Sequence, residues 1–539
     1  MSVQATPYAR PGERRHVLGA PLPLRVGFVG EGGVELLGGP VEAVALGPGA
    51  EVDPAALGAL VIEAQPPGWE RGEMVRLAAA AREGGAPVIG VCDGKAADPA
   101  WTEVADLAIG APDPPAARGL ALAPPVDVRV FNPLNGFREL DAAGYAAVIS
   151  GRSGTPSEVQ RAFSLLDSTA RREPLLALVR RGLELAALGP EVERAALPAA
   201  SIGLLRKLRP RLGVIDHPSF HDSEWERAGW IARLSAAGIP VACGELSTGL
   251  RELLGEELAG LLEGIEARAF ADLDLRERLS IAVRRAALRE HSAEVGWRRI
   301  CAALEIPLPS RPMVSVIFAT RREDWLQHGL AQVARQTYDP RELIVCLHGD
   351  AFADDIEQRI RAMAPQPMKI VRVDGNLVLG DALNAAAEAA EGELITKMDD
   401  DDYYNTDHLW DLVLACEYAQ ADLVGKAAEF VYLEWIDLTI RRFMGDAESD
   451  HPRLAGGGLM ARRDALLEVG GWPSRARGED TWIVKNFKRA GKRTWRTHGF
   501  GYILNRHGRD HTWNTNADYF LVQSQREWRG LRFDQTAID

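Results

Sequence analysis

The chain has 539 residues, of which 46% are hydrophobic and 26% are charged, and its formal net charge is −14. At about 150 residues per domain, this length predicts between about three and four domains. The apolar content excludes a wholly disordered chain, and the acidic balance disfavours nucleic acid as the main partner.

No run reaches the roughly 18 consecutive apolar residues of a transmembrane helix, and the first residues lack the apolar core of a signal peptide. The five cysteines are scattered and lack the CxxC spacing of a zinc site, a pattern typical of buried, reduced thiols. We therefore expect a cytoplasmic protein with no transmembrane segment.

Residues 1–21 are polar and basic and contain proline and glycine, so we expect a disordered tail there. Residues 22–135 then alternate short apolar runs with an amphipathic run that ends in glycine. This alternation is typical of a parallel sheet with helical crossovers. The predicted strands are 24–30, 59–64, 86–92 and 106–111, and the predicted helix is 74–85.

A second α/β unit is predicted over residues 136–306, after a proline-rich stretch at 120–136 that we interpret as an interdomain crossing. PLPSRP (307–312) is a second linker, and residues 312–539 form the third α/β unit. In the second unit we predict strands at 145–152, 201–205, 211–217 and 239–245, a helix at 224–238, and one or two helices over 277–304.

The third unit contains an apolar strand, ELITKM, that is followed by four aspartates, Asp399–Asp402. Ligands of open α/β sheets bind at the carboxyl ends of strands, and side chains two apart on a strand point the same way. We therefore expect Asp399 and Asp401 to converge. Hard oxygen ligands of this kind suit Mg²⁺ or Mn²⁺. Taken alone, the same run is equally well explained as a solvated acidic turn before the next helix.

Three further segments favour a functional interpretation of the acidic run. Polar residues stand at the ends of two strands, Thr320, Arg321 and Arg322 at one and His348 and Asp350 at the other. In 376–393 a glycine-marked turn leads into an alanine-rich helix, directly before the acidic strand. Later, the glycines of AGGG (455–458) allow a close approach of the backbone to a ligand, and Glu479-Asp480 opens another helix.

These segments stand in one order: VSVIFATRR, QTY with ELIVCLHGD, GDALNAAAEAAEGELITKMDDDD, GGGLMARRDALLEVGGW and GED. In that order, residues 313 to about 500 resemble a family 2 glycosyltransferase of the GT-A fold, with a Rossmann-like, mixed sheet. The resemblance implies a nucleotide-diphosphate-sugar donor, Mg²⁺ or Mn²⁺ at the Asp-x-Asp motif, and usually inversion at the anomeric carbon.

The resemblance also implies roles for individual residues. Asp480 becomes the base on the acceptor hydroxyl, with Glu479 beside it; first-turn charge on a helix dipole is the simpler alternative. The metal ligands would be Asp399, Asp401 and His511, with His507 in place of His511 as the alternative and a structural histidine as the simpler account. The nucleotide-sugar contacts would be Thr320, Arg322, Asp350, Asp381, Asp399, Asp400 and Gly457.

One departure from the family pattern concerns the nucleotide base. The second strand of the family often ends in Asp-Asp-Gly-Ser, whereas this chain has Leu347-His348-Gly349-Asp350, so its carboxylate is displaced. A UDP-sugar is our first expectation for the donor. Trp472 and Trp513 are candidates for stacking on a sugar, although buried packing is the more common role of a tryptophan.

Residues 22–305 resemble the paired Rossmann-like units of a GT-B enzyme, and 211–245 with the helices after it resembles spore-maturation-type GT-B glycosyltransferases. No sharp donor-site motif is present there. Since a fold does not by itself carry function, a scaffold or acceptor-binding role is favoured over a second active transferase.

The predicted activity is therefore a metal-dependent, inverting transfer of a sugar to a glycan or cell-surface polymer. A nucleotidyltransferase that makes an activated sugar is one alternative, and a non-catalytic carbohydrate-binding or assembly protein with a structural cation is another. The basic segment 485–499 would face an anionic acceptor or a membrane surface, or form a solvated helix face.

Overall fold

The computed structural model describes most of the chain. It describes residues 22–128 except 31–36, 38–39, 49–52, 54–55, 94–98, 100, 103, 112–117 and 127; four strands between 147 and 214; 223–309 except 244, 264 and 266–272; and 310–536 except 445, 476–477 and 508–516. The chain divides into two compact units, Pro21–Pro309 and Ser310–Asp539. Their boundary falls in the predicted linker 307–312. The predicted tail and the predicted boundary at 135/136 lie outside the described residues.

The first sheet of the N-terminal unit is parallel, with strand order β2-β1-β3-β4-β5-β6. Its strands are β1 (Arg25–Val29), β2 (Glu42–Leu46), β3 (Ala59–Ile62), β4 (Val88–Cys92), β5 (Leu107–Gly110) and β6 (Gly119–Ala121). Helix α1 (Arg71–Glu83) joins β3 to β4 and packs Met74 and Ala78 on one face of the sheet. The four predicted strands and the helix are confirmed, whereas β2 and β6 were not predicted.

The second sheet of this unit is also parallel, with order β11-β10-β7-β8-β9. Its strands are β7 (Ala147–Gly151), β8 (Leu175–Val179), β9 (Val192–Ala196), β10 (Gly213–Val214) and β11 (Val241–Ala242). The strands predicted at 145–152, 211–217 and 239–245 are confirmed, although two of them are short. The strand predicted at 201–205 lies outside the described residues, and β8 and β9 were not predicted.

The helices of this unit after residue 222 are α2 (Glu224–Ala236), α3 (Thr248–Leu254), α4 (Glu256–Glu263), α5 (Leu273–His291) and α6 (Ala293–Ala303). The long segment predicted at 277–304 is therefore two helices. They are separated at Ser292, whose hydroxyl accepts the Val295 N–H at 3.3 Å and caps α6. Helix α6 returns to the first sheet, where Trp297 packs in the core and donates its indole N–H to the Leu37 carbonyl at 2.8 Å.

The C-terminal unit is built on a seven-stranded mixed sheet, as predicted, with order β14-β13-β12-β15-β20-β17-β21. Its strands are β12 (Val314–Thr320), β13 (Arg341–His348), β14 (Met368–Val373), β15 (Leu394–Lys397), β17 (Leu423–Gly425), β20 (Leu459–Arg462) and β21 (Thr494–Arg496). Strands β12 to β15 are parallel to one another, and β20 is antiparallel to both of its neighbours.

A second sheet of this unit has order β16-β22-β18-β19-β23. Its strands are β16 (Tyr403–Tyr404), β18 (Phe430–Leu433), β19 (Leu438–Arg442), β22 (Tyr502–Arg506) and β23 (Ser524–Arg529). The helices of the unit are α7 (Leu326–Ala334), α8 (Ile356–Met363), α9 (Leu379–Ala389), α10 (His408–Ala419), α11 (Arg463–Glu468), α12 (Glu479–Arg489) and α13 (Ala517–Leu521).

This topology brings the polar strand ends of the unit to one edge. Strand β15 lies in the middle of the sheet and is parallel to β12, with Ile317 opposite Lys397. The aspartates that follow β15 therefore emerge beside Thr320, the last residue of β12. Within the described residues, no helix has both the length and the apolar character needed to cross a membrane.

Candidate active site

The four aspartates after β15 have different environments. Asp402 is buried and faces the interior, where it accepts the Tyr502 hydroxyl at 2.7 Å and the Asn505 N–H at 2.9 Å. Burial raises the pKa of Asp402 well above its ordinary value, and Asp401 and Asp399 add to that rise. Its hydrogen bonds tie the acidic run to β22, so Asp402 serves the fold.

Asp400 and Asp401 share the guanidinium group of Arg322. Asp400 accepts hydrogen bonds from the Thr320 hydroxyl and from Arg322, and Arg322 Nη2 lies 2.9 Å from Asp401 Oδ2. His507 Nε2 lies 3.0 Å from the same oxygen of Asp401. Burial alone would lower the pKa of Arg322, but the two carboxylates raise it above its ordinary value. Arg322 therefore stays charged and compensates both carboxylates.

Asp399 faces a different cation. Lys397 Nζ lies 3.3 Å from Asp399 Oδ1 and 3.5 Å from Asp480 Oδ1, which joins the end of β15 to the start of α12. The Lys397 side chain is only 4% exposed, whereas those of Asp399 and Asp480 are 33% and 26% exposed. Burial raises the pKa of Asp399 to about 6; Lys397 opposes that rise, while Asp480 and Asp401 add to it. Negative charge thus exceeds positive charge here.

A glycine turn at Gly456–Gly458 lies against these carboxylates. A Cβ placed on Gly456 would overlap the carboxylate of Asp480. A Cβ on Gly457 would lie 2.7 Å from Asp402 Oδ2 and 3.0 Å from Asp399 Oδ2. Both distances are shorter than van der Waals contact, so this close approach requires glycine at both positions.

Helix α12 brings Glu479 and Asp480 to the site in its first turn, as predicted. It follows Gly478, which has a positive φ of 77° that glycine adopts readily. Glu479 is buried, and burial followed by the charge of Asp480 raises its pKa. Asp480 is the more exposed of the two carboxylates and is paired with Lys397.

Residues 315–453 of the chain match the family model described as glycosyl transferase family 2. This segment is therefore similar to glycosyltransferases of family 2. The match includes Asp399–Asp402 and ends before Gly456, Glu479 and Asp480. It covers the part of the predicted resemblance that holds the acidic run and supports a glycosyltransferase.

Solved structures also resemble this chain. A mannosyltransferase, PcManGT, from Pyrobaculum calidifontis, solved with GDP-Man and Mn²⁺, is 18% identical, with a TM-score of 0.29, over 40% of this chain and 65% of that chain. Residues 1–349 of S. aureus TarS, solved with UDP-GlcNAc, are 16% identical, with a TM-score of 0.31, over 39% of this chain and 64% of that chain. The likeness therefore spans less than two thirds of each neighbour. No curated protein matches the chain.

At the same edge of the sheet, Arg321 binds the last residue of β13 and two residues that follow β14. Its Nε donates to His348 Nδ1 at 3.1 Å, and its Nη2 donates to the carbonyls of Gly375 at 3.0 Å and Leu377 at 2.9 Å. Burial, and then the charge of Arg321, lowers the pKa of His348. Asp350 is exposed and makes no ion pair or hydrogen bond with another described residue, so its nucleotide contact stays a prediction.

Two other predicted residues have local contacts. Asp381 accepts the Val378 N–H at 3.3 Å and the Ser474 hydroxyl at 3.1 Å, and so caps α9. Trp472 is buried in the main core of the unit, in agreement with the packing role favoured by the sequence. His511 and Trp513 lie outside the described residues, and it is His507, the alternative ligand, that contacts Asp401.

Lys397, Trp325 and Tyr502 were not predicted from the sequence as parts of the site. The Trp325 ring stacks on His507 with centroids 4.9 Å apart, and Arg322 lies over the same indole at 5.8 Å. Lys397 precedes Asp399 by two residues, so the alternation of side chains along a strand already places both on one face. Its pairing with Asp480 is a contact between distant segments that no local pattern reveals.

Proposed function

We propose that the C-terminal unit transfers a sugar from a nucleotide-diphosphate sugar to an acceptor hydroxyl, with a divalent cation and with inversion. The observation that carries this proposal is the Lys397 bridge, with 3.3 Å to Asp399 Oδ1 and 3.5 Å to Asp480 Oδ1. It means that the acidic run, which would meet the diphosphate, and the predicted base share one site.

The carboxylates fit a divalent cation. Among the described residues there is no group of three or more His, Cys, Asp or Glu side chains arranged to hold a metal by themselves. Mg²⁺ in nucleotide enzymes is typically held by one or two carboxylates together with phosphate oxygens, so Asp399 and Asp401 suffice as protein ligands. Burial, and after it the charges of Asp480 and Asp401, raise the pKa of Asp399, and a bound cation would favour its charged form. When bound, Mg²⁺ or Mn²⁺ would neutralise charge on the departing diphosphate.

The chain's own residues would perform the remaining tasks. Asp480, as the more exposed carboxylate of the pair, would accept the proton of the acceptor hydroxyl at Oδ1 or Oδ2 as the new bond forms. Glu479 is only 5% exposed and would position the helix start. A single base opposite the leaving group supports inversion in one displacement.

Donor and acceptor follow from the surrounding chemistry. The polar ends of β12 and β13, with Arg321 and His348, would meet the nucleoside, and a UDP-sugar is the first donor to test. The acceptor is proposed to be a glycan or polymer, with peripheral membrane contact through the basic segment 485–499 as one way to reach it. All five cysteines are buried and unpaired, which supports the proposed cytoplasmic location.

The N-terminal unit is proposed to be a scaffold or an acceptor-binding unit of GT-B-like form. Its two parallel sheets support that proposal, and so does the return of α6 to the first sheet. A second transferase activity there has no comparable cluster of carboxylates and lysine to support it among the described residues.

The test is a screen of UDP- and GDP-sugars with Mn²⁺ and Mg²⁺, followed by identification of the released nucleotide. A nucleoside diphosphate identifies a glycosyltransferase, whereas pyrophosphate identifies a nucleotidyltransferase. Asp401→Asn and Asp480→Asn are each expected to lower the transfer rate about 100-fold or more, and Asp401→Asn to do so without changing the melting temperature. Asp464→Asn, at an exposed carboxylate in α11, is the matched control. Wild-type rates in either site variant would overturn the mechanism.

A further inference from the structure

We infer that Lys397 is a positioning residue that holds the carboxylate of Asp480 beside Asp399. This inference rests on the proposed function, in which Asp480 is the base. The two carboxylates come from elements that are far apart in the chain, the end of β15 and the first turn of α12. Lys397 is the side chain that contacts both, at 3.3 Å and 3.5 Å.

The backbone of Lys397 is fixed by the sheet. It is the last residue of β15, and it lies opposite Ile317 of the neighbouring strand β12. Its side chain is 4% exposed, so the ammonium group has little water to replace a lost carboxylate. The ammonium group of Lys397 is therefore a positive charge held in place between two carboxylates.

Asp480 depends on this charge for its position. Among the described residues, Lys397 is the one side chain that donates a hydrogen bond to the Asp480 carboxylate, at 3.5 Å. The backbone of Gly456 also lies against this carboxylate. Asp399, Asp480 and the buried Glu479 carry like charges, so a cation is needed to hold their carboxylates close together. Without Lys397, repulsion would turn the Asp480 carboxylate away from Asp399.

Lys397 would act through Asp480 and would not itself touch donor or acceptor. A loss of the lysine should therefore slow turnover while the donor still binds through Asp400, Asp401 and Arg322. A general loss of folding would instead weaken both turnover and donor binding, so the two effects can be told apart.

The first experiment compares Lys397→Met, which removes the charge, with Lys397→Arg, which keeps it. We expect kcat to fall about 100-fold in Lys397→Met, with the KM for the nucleotide sugar within about 3-fold of wild type, and Lys397→Arg to recover much of kcat. The control is Lys369→Met. Lys369 also lies between two carboxylates, at 3.5 Å from Glu342 and 2.6 Å from Glu391, but at the start of β14, away from the site. Equal losses in Lys397→Met and Lys397→Arg, or a full kcat in Lys397→Met, would overturn the inference.

The second experiment needs no turnover. A double-mutant cycle with Lys397→Met and Asp480→Asn measures their coupling in urea unfolding, and we expect the unfolding constants to show a coupling of about tenfold. If the Lys397→Met protein is too unstable to purify, the double variant, which removes both charges, is expected to restore folding. Coupling below about twofold would overturn the inference even if transfer is observed. Strong coupling without turnover of any nucleotide sugar would instead overturn the proposed function alone.

Discussion

Gly456 lies against the carboxylate of Asp480, with no space for a side chain between them. The turn that carries Gly456 leads into β20, and Asp480 belongs to the first turn of α12. The backbone of Gly456 therefore limits the space that the carboxylate of the proposed base can occupy. A methyl group on Gly456 must displace either the glycine turn or the carboxylate of Asp480.

Gly456→Ala is accordingly expected to lower kcat about tenfold or more, because displacement of a reacting group by about 1 Å has effects of this size. The KM for the donor should change much less, since the proposed diphosphate contacts lie on the other aspartates. Steady-state kinetics with the donor found in the screen measures both constants. Gly260→Ala is the control, because nothing lies within 4 Å of a Cβ at that position in α4. An unchanged kcat in Gly456→Ala would show that the activity does not depend on the close contact between Gly456 and Asp480.

Substitution of Asp402 should lower the stability of the protein, whereas substitution of Asp401 should not. In Asp402→Ala, the buried Tyr502 hydroxyl and Asn505 N–H lose their acceptor, and we expect the free energy of unfolding to fall by about 1–3 kcal/mol. Asp401→Asn should leave it nearly unchanged. Urea denaturation of the two variants, followed by tryptophan fluorescence, measures the difference. Equal stability of the two proteins would contradict a structural role for Asp402.

Local sequence predicts the acidic run but not the division of work within it. Asp399, Asp401 and Asp402 look alike in the sequence, yet Asp402 turns inward because Tyr502 and Asn505, about 100 residues later, supply its donors. The same limit applies to Lys397, whose strand neighbour Asp399 is visible from the alternation of side chains while its partner Asp480 is not. Contacts of this kind depend on tertiary packing.

Two of the missed strands, β2 and β9, have a comparable cause. Strand β2 lies at the edge of its sheet, and most of its residues are partly or fully exposed, so it does not form the apolar run by which buried strands are identified. Strand β9, also at an edge, contains Glu193 and Arg194 in its centre. The central strands β1, β3 and β4 are apolar throughout most of their length and were predicted within a few residues.

The contribution of His291 to the stability of the N-terminal unit should be lost as the pH falls from about 6.5 towards 4. His291 is buried, its Nε2 contacts the Leu254 carbonyl at 2.8 Å, and burial lowers its pKa to about 4 from an ordinary value of 6.5. The unfolded chain therefore binds this proton first, so the stabilisation is complete above pH 6.5 and decreases below it. The loss amounts to about 3 kcal/mol from this one group.

Amide hydrogen exchange of α3 and α5 as a function of pH measures this effect within the unit. His291→Gln keeps a side-chain donor for the Leu254 carbonyl but does not titrate, so its stability should vary less with pH. Parallel pH profiles of the wild type and His291→Gln would contradict the prediction.

A metal ion and a nucleoside diphosphate should stabilise the C-terminal unit more together than the sum of their separate effects. In the proposed site Asp399 and Asp401 would supply carboxylate oxygens, and because the described residues contain no three-residue metal site, the remaining ligands would be phosphate oxygens and water. The diphosphate, in turn, meets a surplus of negative charge until a cation is present. Each ligand therefore lowers the free energy of binding the other, and their coupling is reciprocal.

Thermal unfolding with Mn²⁺ alone, UDP or GDP alone, and each nucleotide with Mn²⁺ measures this coupling. We expect small shifts for the single ligands and a rise of several degrees for the correct pair, which corresponds to about 1–3 kcal/mol of coupling. Asp401→Asn should remove the cooperative part while leaving the melting temperature of the ligand-free protein unchanged, and Asp464→Asn should retain it. Additive shifts in the wild-type protein would mean that the metal and the diphosphate do not share a site, because two ligands that meet at the same carboxylates cannot bind independently.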